Sequence, residues 1–254
     1  MYDHTKTYLQ RSAIFAFLIT VVSTTIFADY TVFSGKVSRY SIVVDPQASV
    51  SEHTAAKELQ SYLLQIGGAE LPVLSAPDTK GNNIFIGYNN HVAKLTGRKR
   101  PSPDDESFIC RNYNDNIVIF GGARRGTLYG VYRLLEEKLG VRWYTPDCKI
   151  VPQLSKWRFR TLNFSEKPAI NFRHVCYYGV QQDKEWRAHN ELNMSWDISP
   201  DIYGGNDGYW GQHTMSWFVS EEDYFDKHPE YFSLINGKRT RGAQLCLSNP
   251  EVLS

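Results

Sequence analysis

Gly121-Gly122-Ala123-Arg124-Arg125-Gly126-Thr127-Leu128-Tyr129-Gly130-Val131-Tyr132 is the stretch that decides the fold. Just before it, Ile117-Val118-Ile119-Phe120 is a short apolar run of strand type. Just after it, Leu128, Val131, Tyr132, Leu135 and Leu139 recur at helical spacing until Gly140 ends the pattern. A strand therefore turns through paired glycines straight into a helix. Upstream, Ser107-Phe108-Ile109-Cys110 and the 117–120 run flank Asn114-Asp115-Asn116, which predicts an antiparallel hairpin. Downstream, Val141-Arg142-Trp143-Tyr144 predicts one more strand.

Moving outward, the same alternation continues. Tyr40-Ser41-Ile42-Val43-Val44 reads as a strand closed by Asp45-Pro46. Ser49 with Glu52 three residues on is a capping box. It opens a helix with Ala55, Ala56, Leu59, Tyr62, Leu63 and Ile66 on one face, stopped at Gly67-Gly68. Leu71-Pro72-Val73-Leu74 and Ile84-Phe85-Ile86-Gly87 are short strands. The fold class is α/β: a mixed sheet covered by two long helices, spanning residues 29–152. Residues 153–168 are polar, end at Pro168 and read as a linker.

Composition bounds the function. The 254 residues carry 28 Lys+Arg against 27 Asp+Glu, a net charge of +1. That balance lacks the basic footprint of a nucleic-acid binder, so no nucleic-acid partner is expected. Hydrophobic residues at 42% and charged residues at 22% exclude wholesale disorder. Aromatics at 14% imply a large core or a binding surface.

Residues 1–28 read as a signal peptide. Lys6 and Arg11 precede the apolar run Ala13-Ile14-Phe15-Ala16-Phe17-Leu18-Ile19, with Val21-Val22 beyond and a cleavage site after Ala28. An uncleaved anchor or a buried helix is the other reading of that run. The expectation is a periplasmic or secreted protein without stable membrane insertion after signal cleavage. Cys110, Cys148, Cys176 and Cys246 are irregularly spaced and form no C-x-x-C pair, which excludes a zinc ribbon. Buried free thiols and disulfides are both open to them.

The composition changes after residue 168. Phe172-Arg173-His174-Val175-Cys176-Tyr177-Tyr178 reads as a strand, 184–192 as a helix, 221–227 as a helix and Gln244-Leu245-Cys246-Leu247 as strand-like. Between them lies a Gly/aromatic loop, Tyr203-Gly204-Gly205-Asn206-Asp207-Gly208-Tyr209-Trp210-Gly211. Such long loops are usually functional. Ser248-Asn249-Pro250-Glu251 starts a helix about one turn before the last residue. The expectation is a truncated chain holding the opening of a second domain, residues 169–254.

The glycine-rich stretch, with Leu139-Gly140-Val141-Arg142-Trp143-Tyr144 and the Ala55-Ala56 helix, resembles the α/β module preceding the catalytic barrel in β-hexosaminidases and α-glucuronidases. His213-Thr214, Tyr224-Phe225, His228-Pro229-Glu230-Tyr231-Phe232, Gly237-Lys238-Arg239 and Gln244 to Pro250 are similar to bacterial secreted proteins in which that module precedes a barrel domain of unknown function. The resemblance implies a hexosaminidase domain-2-like α/β sandwich followed by the truncated start of a (β/α)8 glycosidase-like barrel. It implies a carbohydrate-active protein that hydrolyses O-glycosyl bonds, with a poly- or oligosaccharide as partner and no cofactor. Arg173 and Leu192-Asn193 resemble a sugar-binding arginine on the first barrel strand and the segment leading to the second. The His-x-Thr-Asp-type pattern of true hexosaminidases is absent after Asn193.

Glycoside hydrolysis generally requires two carboxylates flanking the bond. The resemblance places them on later barrel strands, beyond residue 254, so no catalytic residue is nominated and the fragment alone is expected to be inactive. Sugar binding is assigned to Arg173, Asn193, Trp210 and His213, because aromatic rings cover sugar C–H faces while polar groups hold hydroxyls; ordinary packing of the loop is the other reading for Trp210 and His213, and a structural ion pair for Arg173. A non-catalytic carbohydrate-binding or scaffold protein is the alternative. His213, His228, Glu230 and Cys246 lack metal-ligand spacing, so no metal is expected. The 121–126 loop mimics a dinucleotide loop, but Ala123 replaces a required glycine and the preceding strand belongs to a hairpin, so close packing is the preferred reading.

Overall fold

The computed structural model describes residues 29–194, 201–207, 214–242 and 244–253. The expected signal peptide, residues 1–28, lies outside them. The chain opens with β1 (Tyr30–Ser34), β2 (Val37–Ser38) and β3 (Tyr40–Val44), then α1 (Val50–Gly67). There follow β4 (Val73–Leu74), β5 (Asn82–Ile86), α2 (Asn90–Thr96), β6 (Phe108–Tyr113), β7 (Asn116–Gly121) and α3 (Gly126–Leu139). Next come β8 (Arg142–Thr145), β9 (Cys148–Ile150), β10 (Lys156–Phe159) and β11 (Asn163–Glu166).

The main sheet has six strands in the order β11-β6-β7-β5-β3-β4. The β4, β3, β5 and β7 neighbours run parallel, while β6 and β11 add an antiparallel edge. The mixed α/β architecture is as the sequence indicates. Parallel strands covered on both sides read as unbroken apolar runs. That is why Ile42-Val43-Val44, Ile84-Phe85-Ile86 and Ile117-Val118-Ile119-Phe120 show little alternation. Alternate residues nevertheless face opposite ways: Ile42, Ile84, Ile86, Ile117 and Ile119 join the large core, whereas Val43, Phe85, Val118 and Phe120 join a small one with Val92 of α2. Both long helices sit on the large-core side. Each fully buried Ile or Leu there stabilises by about 1.5–3 kcal/mol relative to exposure.

Local signals set the boundaries. The Ser49 hydroxyl accepts from the Glu52 amide, and the Glu52 carboxylate accepts from the Ser49 amide at 2.9 Å. The predicted face of α1 is buried in full. Gly68 and Gly140 close α1 and α3 in the left-handed conformation.

Two expectations need correction. Residues 153–168 are not a bare linker: β10 pairs with β1 in a small second sheet, and β11 extends the main sheet beside β6. Lys156-Trp157-Arg158-Phe159 alternates exposed and buried, so a period-two signal lay inside a polar segment. The 142–145 strand pairs with β9 as a separate ribbon and does not join the main sheet.

The second half begins with an irregular stretch over 171–177, where the sequence suggests a strand. Strand propensity alone does not make a strand without a ladder partner. Then come α4 (Tyr178–Gln181), α5 (Lys184–His189), the single-turn α6 (Glu221–Tyr224), and β12 (Leu234–Ile235) paired with β13 (Lys238–Arg239). The 244–247 stretch contributes one bridge, Phe232 to Leu245. Among the described residues no helix is long and apolar enough to cross a membrane.

Candidate functional site

The β7–α3 loop holds the first part of the site. Its glycines allow the 102–107 segment to lie against it: a Cβ on Gly122 would meet the Asp105 carbonyl at 2.2 Å. The Gly122 amide donates to Asp105 at 2.9 Å and the Arg124 amide to Pro103 at 3.0 Å. Those amides serve packing, as the sequence reading prefers.

Arg124 and Arg125 then reach toward residues 204–207. Arg124 donates to the Gly204 carbonyl at 2.8 Å, the Asn206 carbonyl at 2.6 Å and Asp207 Oδ1 at 2.8 Å. Arg125 donates to Glu106 Oε1 at 2.7 Å and Asp207 Oδ2 at 2.6 Å. Arg173 closes the chain of charges through Glu106 Oε2 at 2.7 Å and lies over the Tyr129 ring at 5.6 Å. Asn193 sits at the centre. Its side-chain amide donates to Glu106 Oε1 and Asp207 Oδ2, each at 3.0 Å, and to the Asn171 carbonyl at 2.7 Å. Its carbonyl oxygen accepts from the Arg173 amide at 2.9 Å.

The result is an alternating string, Arg124–Asp207–Arg125–Glu106–Arg173, joining the first half of the chain to the second. Only 2% of the Arg125 side chain is exposed. Burial by itself would lower its pKa, but the Asp207 hydrogen bond and the charges of Glu106 and Asp207 outweigh that, and the net shift is upward. Burial first, then the Glu106 charge, also pushes the Tyr129 phenol up. The loop residue Gly204 has φ of +83°, and a Cβ there would meet the Arg124 carbonyl oxygen at 2.3 Å. That close approach is the use of the glycine pair in the aromatic loop.

A second contact lies behind the first. His189, at the end of α5, stacks on Trp143 at 4.4 Å and meets the Tyr132 ring edge-on at 4.7 Å. Its Nε2 is 2.8 Å from Glu58 Oε2, and Tyr132 donates to Glu58 Oε1 at 3.1 Å. Trp143 Nε1 donates to the Tyr62 hydroxyl at 2.7 Å. Burial pushes the Tyr62 phenol up to about 12, partly offset by that Trp143 bond. Nearby, Glu191 has a left-handed backbone and bonds Arg133 at 3.0 Å. Burial raises its pKa, against the lowering effect of Arg133 and Arg173.

The chemistry this allows is specific. Every carboxylate oxygen of Glu106 and Asp207 already accepts from a guanidinium. Although both acids border a cavity of about 460 Å³, neither is poised to give or take a proton from a substrate. The arrangement is a clamp between the two halves.

Of the four residues predicted to bind sugar, Arg173 and Asn193 are brought together here. Trp210 and His213 lie outside the described residues. Sequence reasoning missed Glu106, Arg125, Glu58 and His189. One signal was present: two arginines at the start of α3 oppose the positive end of the helix dipole, which implies acidic partners elsewhere. For His189 no signal existed. His228 lies 3.1 Å from Glu230, and these two with Glu251 bring their ligand atoms within 4.8 Å of one another, a grouping that could hold a metal ion and that does not include Cys246.

Comparison with known proteins matches two separate parts of the chain. Residues 35–134 match the N-terminal domain of glycosyl hydrolase family 67. The first half of the chain is thus similar to a glycoside-hydrolase N-terminal domain. Residues 143–254 match a domain of unknown function, DUF4838. Three solved structures are similar, each at 16% identity. The first is a family GH115 4-O-methyl-α-glucuronidase with specificity for decorated arabinogalactans, with a TM-score of 0.44, covering 57% of this chain and 19% of its own. The second is a GH138 enzyme targeting pectin rhamnogalacturonan II, with a TM-score of 0.36, covering 61% of this chain and 23% of its own. The third is the protein CpGH84B, with a TM-score of 0.36, covering 65% of this chain and 26% of its own. The chain thus spans about a quarter or less of their lengths. No curated protein matches it.

Proposed function

We propose that this chain belongs to an exported carbohydrate-active protein of glycoside-hydrolase type, acting on a poly- or oligosaccharide. The observation that carries the proposal is the match of residues 35–134 to a glycosyl hydrolase N-terminal domain. The clamp supports it: a domain tied through Arg125 and His189 to the following segment is suited to hold that segment in a fixed orientation. Reading residues 169–254 as the opening of a (β/α)8 barrel is part of the same proposal. Glu106 and Asp207 are bound to arginines, so the proposal gives neither of them a hydrolytic role. Export to the periplasm or medium rests on Lys6, Arg11 and the apolar run ending near Ala28.

The test is a glycan array probed with this chain, paired with a reducing-sugar assay. The expected result is glycan binding without bond cleavage. Absence of binding to any glycan overturns the carbohydrate reading, and cleavage by this chain overturns the expectation that it is inactive on its own. Cell fractionation with a C-terminal tag checks export, which fails if the protein stays in the cytosol.

A further inference from the structure

A second cleft, separate from the clamp, has the makings of a saccharide site. It has a volume of about 420 Å³ and is walled by Met215, Trp217, Glu222, Phe232, Gln244 and Leu245. Small-molecule sites usually fall at roughly 300–1,000 Å³. The floor is apolar: Phe232 and Leu245 are buried and bridged strand-to-strand. One wall is the 3-10 turn Thr214–Trp217, which leaves Trp217 63% exposed at the rim. The opposite wall is α6, where Ser220 caps the helix by accepting from the Asp223 amide.

Arg241 braces the α6 side of the cleft from outside its lining. Its guanidinium lies over the Phe225 ring at 4.4 Å and pairs with Asp226 and Glu221, while the Gly242 amide donates to Glu221. Glu221 is thereby occupied. Glu222 is exposed and makes no hydrogen bond or ion pair among the described residues, so its carboxylate is available to a ligand.

An exposed indole beside an open carboxylate is what a sugar ring needs. The flat apolar face covers sugar C–H bonds, and the oxygens accept from hydroxyls. Charge narrows the choice. Glu221 and Glu222 line the cleft, Arg241 is taken up by Glu221 and Asp226, and Arg239 donates to the Phe232 carbonyl, so the open Glu222 carboxylate repels an anionic sugar and not a neutral one.

The geometry points to a binding site for a neutral saccharide chain in this cleft, with Trp217 as the stacking platform and Glu222 as hydroxyl acceptor. This rests on the carbohydrate reading given above. The test is affinity electrophoresis of the whole chain through gels containing galactan, arabinan, xylan, mannan or polygalacturonate, for the wild type, Trp217→Ala, Trp217→Phe and Glu222→Gln. Circular dichroism melts confirm that each variant folds. The expected result is retardation by at least one neutral glycan and none by polygalacturonate. Trp217→Ala should weaken binding roughly tenfold or more, and Trp217→Phe much less. Undiminished binding by folded Trp217→Ala overturns the site and leaves the carbohydrate reading intact. Retardation by polygalacturonate that depends on Trp217 overturns the neutral preference. No retardation by any glycan overturns the site and counts against the carbohydrate reading as well.

Discussion

Replacing Arg125 with alanine tests whether the clamp joins the two halves. The side chain is almost wholly buried and makes ion pairs to Glu106 and Asp207. It also reaches the Gly204 and Gly205 carbonyls at 3.2 and 3.3 Å. Breaking a buried pair by removing one partner costs about 3–5 kcal/mol, chiefly because a charge is stranded. Here neither acid is fully stranded: Glu106 keeps Arg173 and Asp207 keeps Arg124. Asp207 is also 29% exposed, so water recovers part of its solvation. The lower end, about 3 kcal/mol, is therefore expected. For a chain of this size that corresponds to a fall of roughly 6–12 °C in melting temperature. Circular dichroism gives the shift, and amide exchange gives its location. Amides of α5 should lose protection first, while those of β5, deep in the first sheet, keep theirs. A melting temperature within about 2 °C of wild type, against the shift expected for a buried pair, would refute the reasoning. So would protection lost evenly across both halves. Arg125→Met, which restores bulk without charge, separates packing from pairing.

Three further outcomes are expected. Gly204→Ala places a Cβ against the Arg124 carbonyl in a left-handed backbone, so it should cost about 1–3 kcal/mol; a denaturant melt unchanged from wild type contradicts this. Cys110 is buried and its thiol is pushed up by burial, whereas Cys148 and Cys176 are exposed. A maleimide reagent read by mass spectrometry should label those two in the native state and Cys110 only on unfolding, and rapid native labelling of Cys110 would count against the core assignment. The Ser107 amide holds the Asp105 carboxyl below its usual pKa, against burial and with help from Lys167. A folded pKa below the unfolded value of about 3.9 stabilises above that pH and is lost as pH falls through the folded value. Asp105→Asn should therefore flatten the acid limb of the stability curve below about pH 4, and an unchanged limb would remove Asp105 as a contributor.

The readable parts of the fold are those whose cause is local. The Ser49–Glu52 capping box, the apolar face from Ala55 to Ile66 and the hairpin around Asn114 each depend on residues within a few positions. Lys156-Trp157-Arg158-Phe159 was readable in principle, since its alternation is that of a half-buried strand, but its polar surroundings masked it. Phe172 to Tyr178 erred the other way. Its residues suit a strand, yet Arg173 is held by Asn193 instead of by a ladder.

The sequence by itself determined a mixed α/β domain with its helix limits, because periodicity, caps and glycines act over short distances. Tertiary structure alone decided that Arg173 and Asn193 meet Glu106, Arg125 and Asp207, and that His189 lies between Trp143 and Glu58. Those partners are separated by tens of residues, and which charge pairs with which is settled only when burial makes an unpaired one too costly.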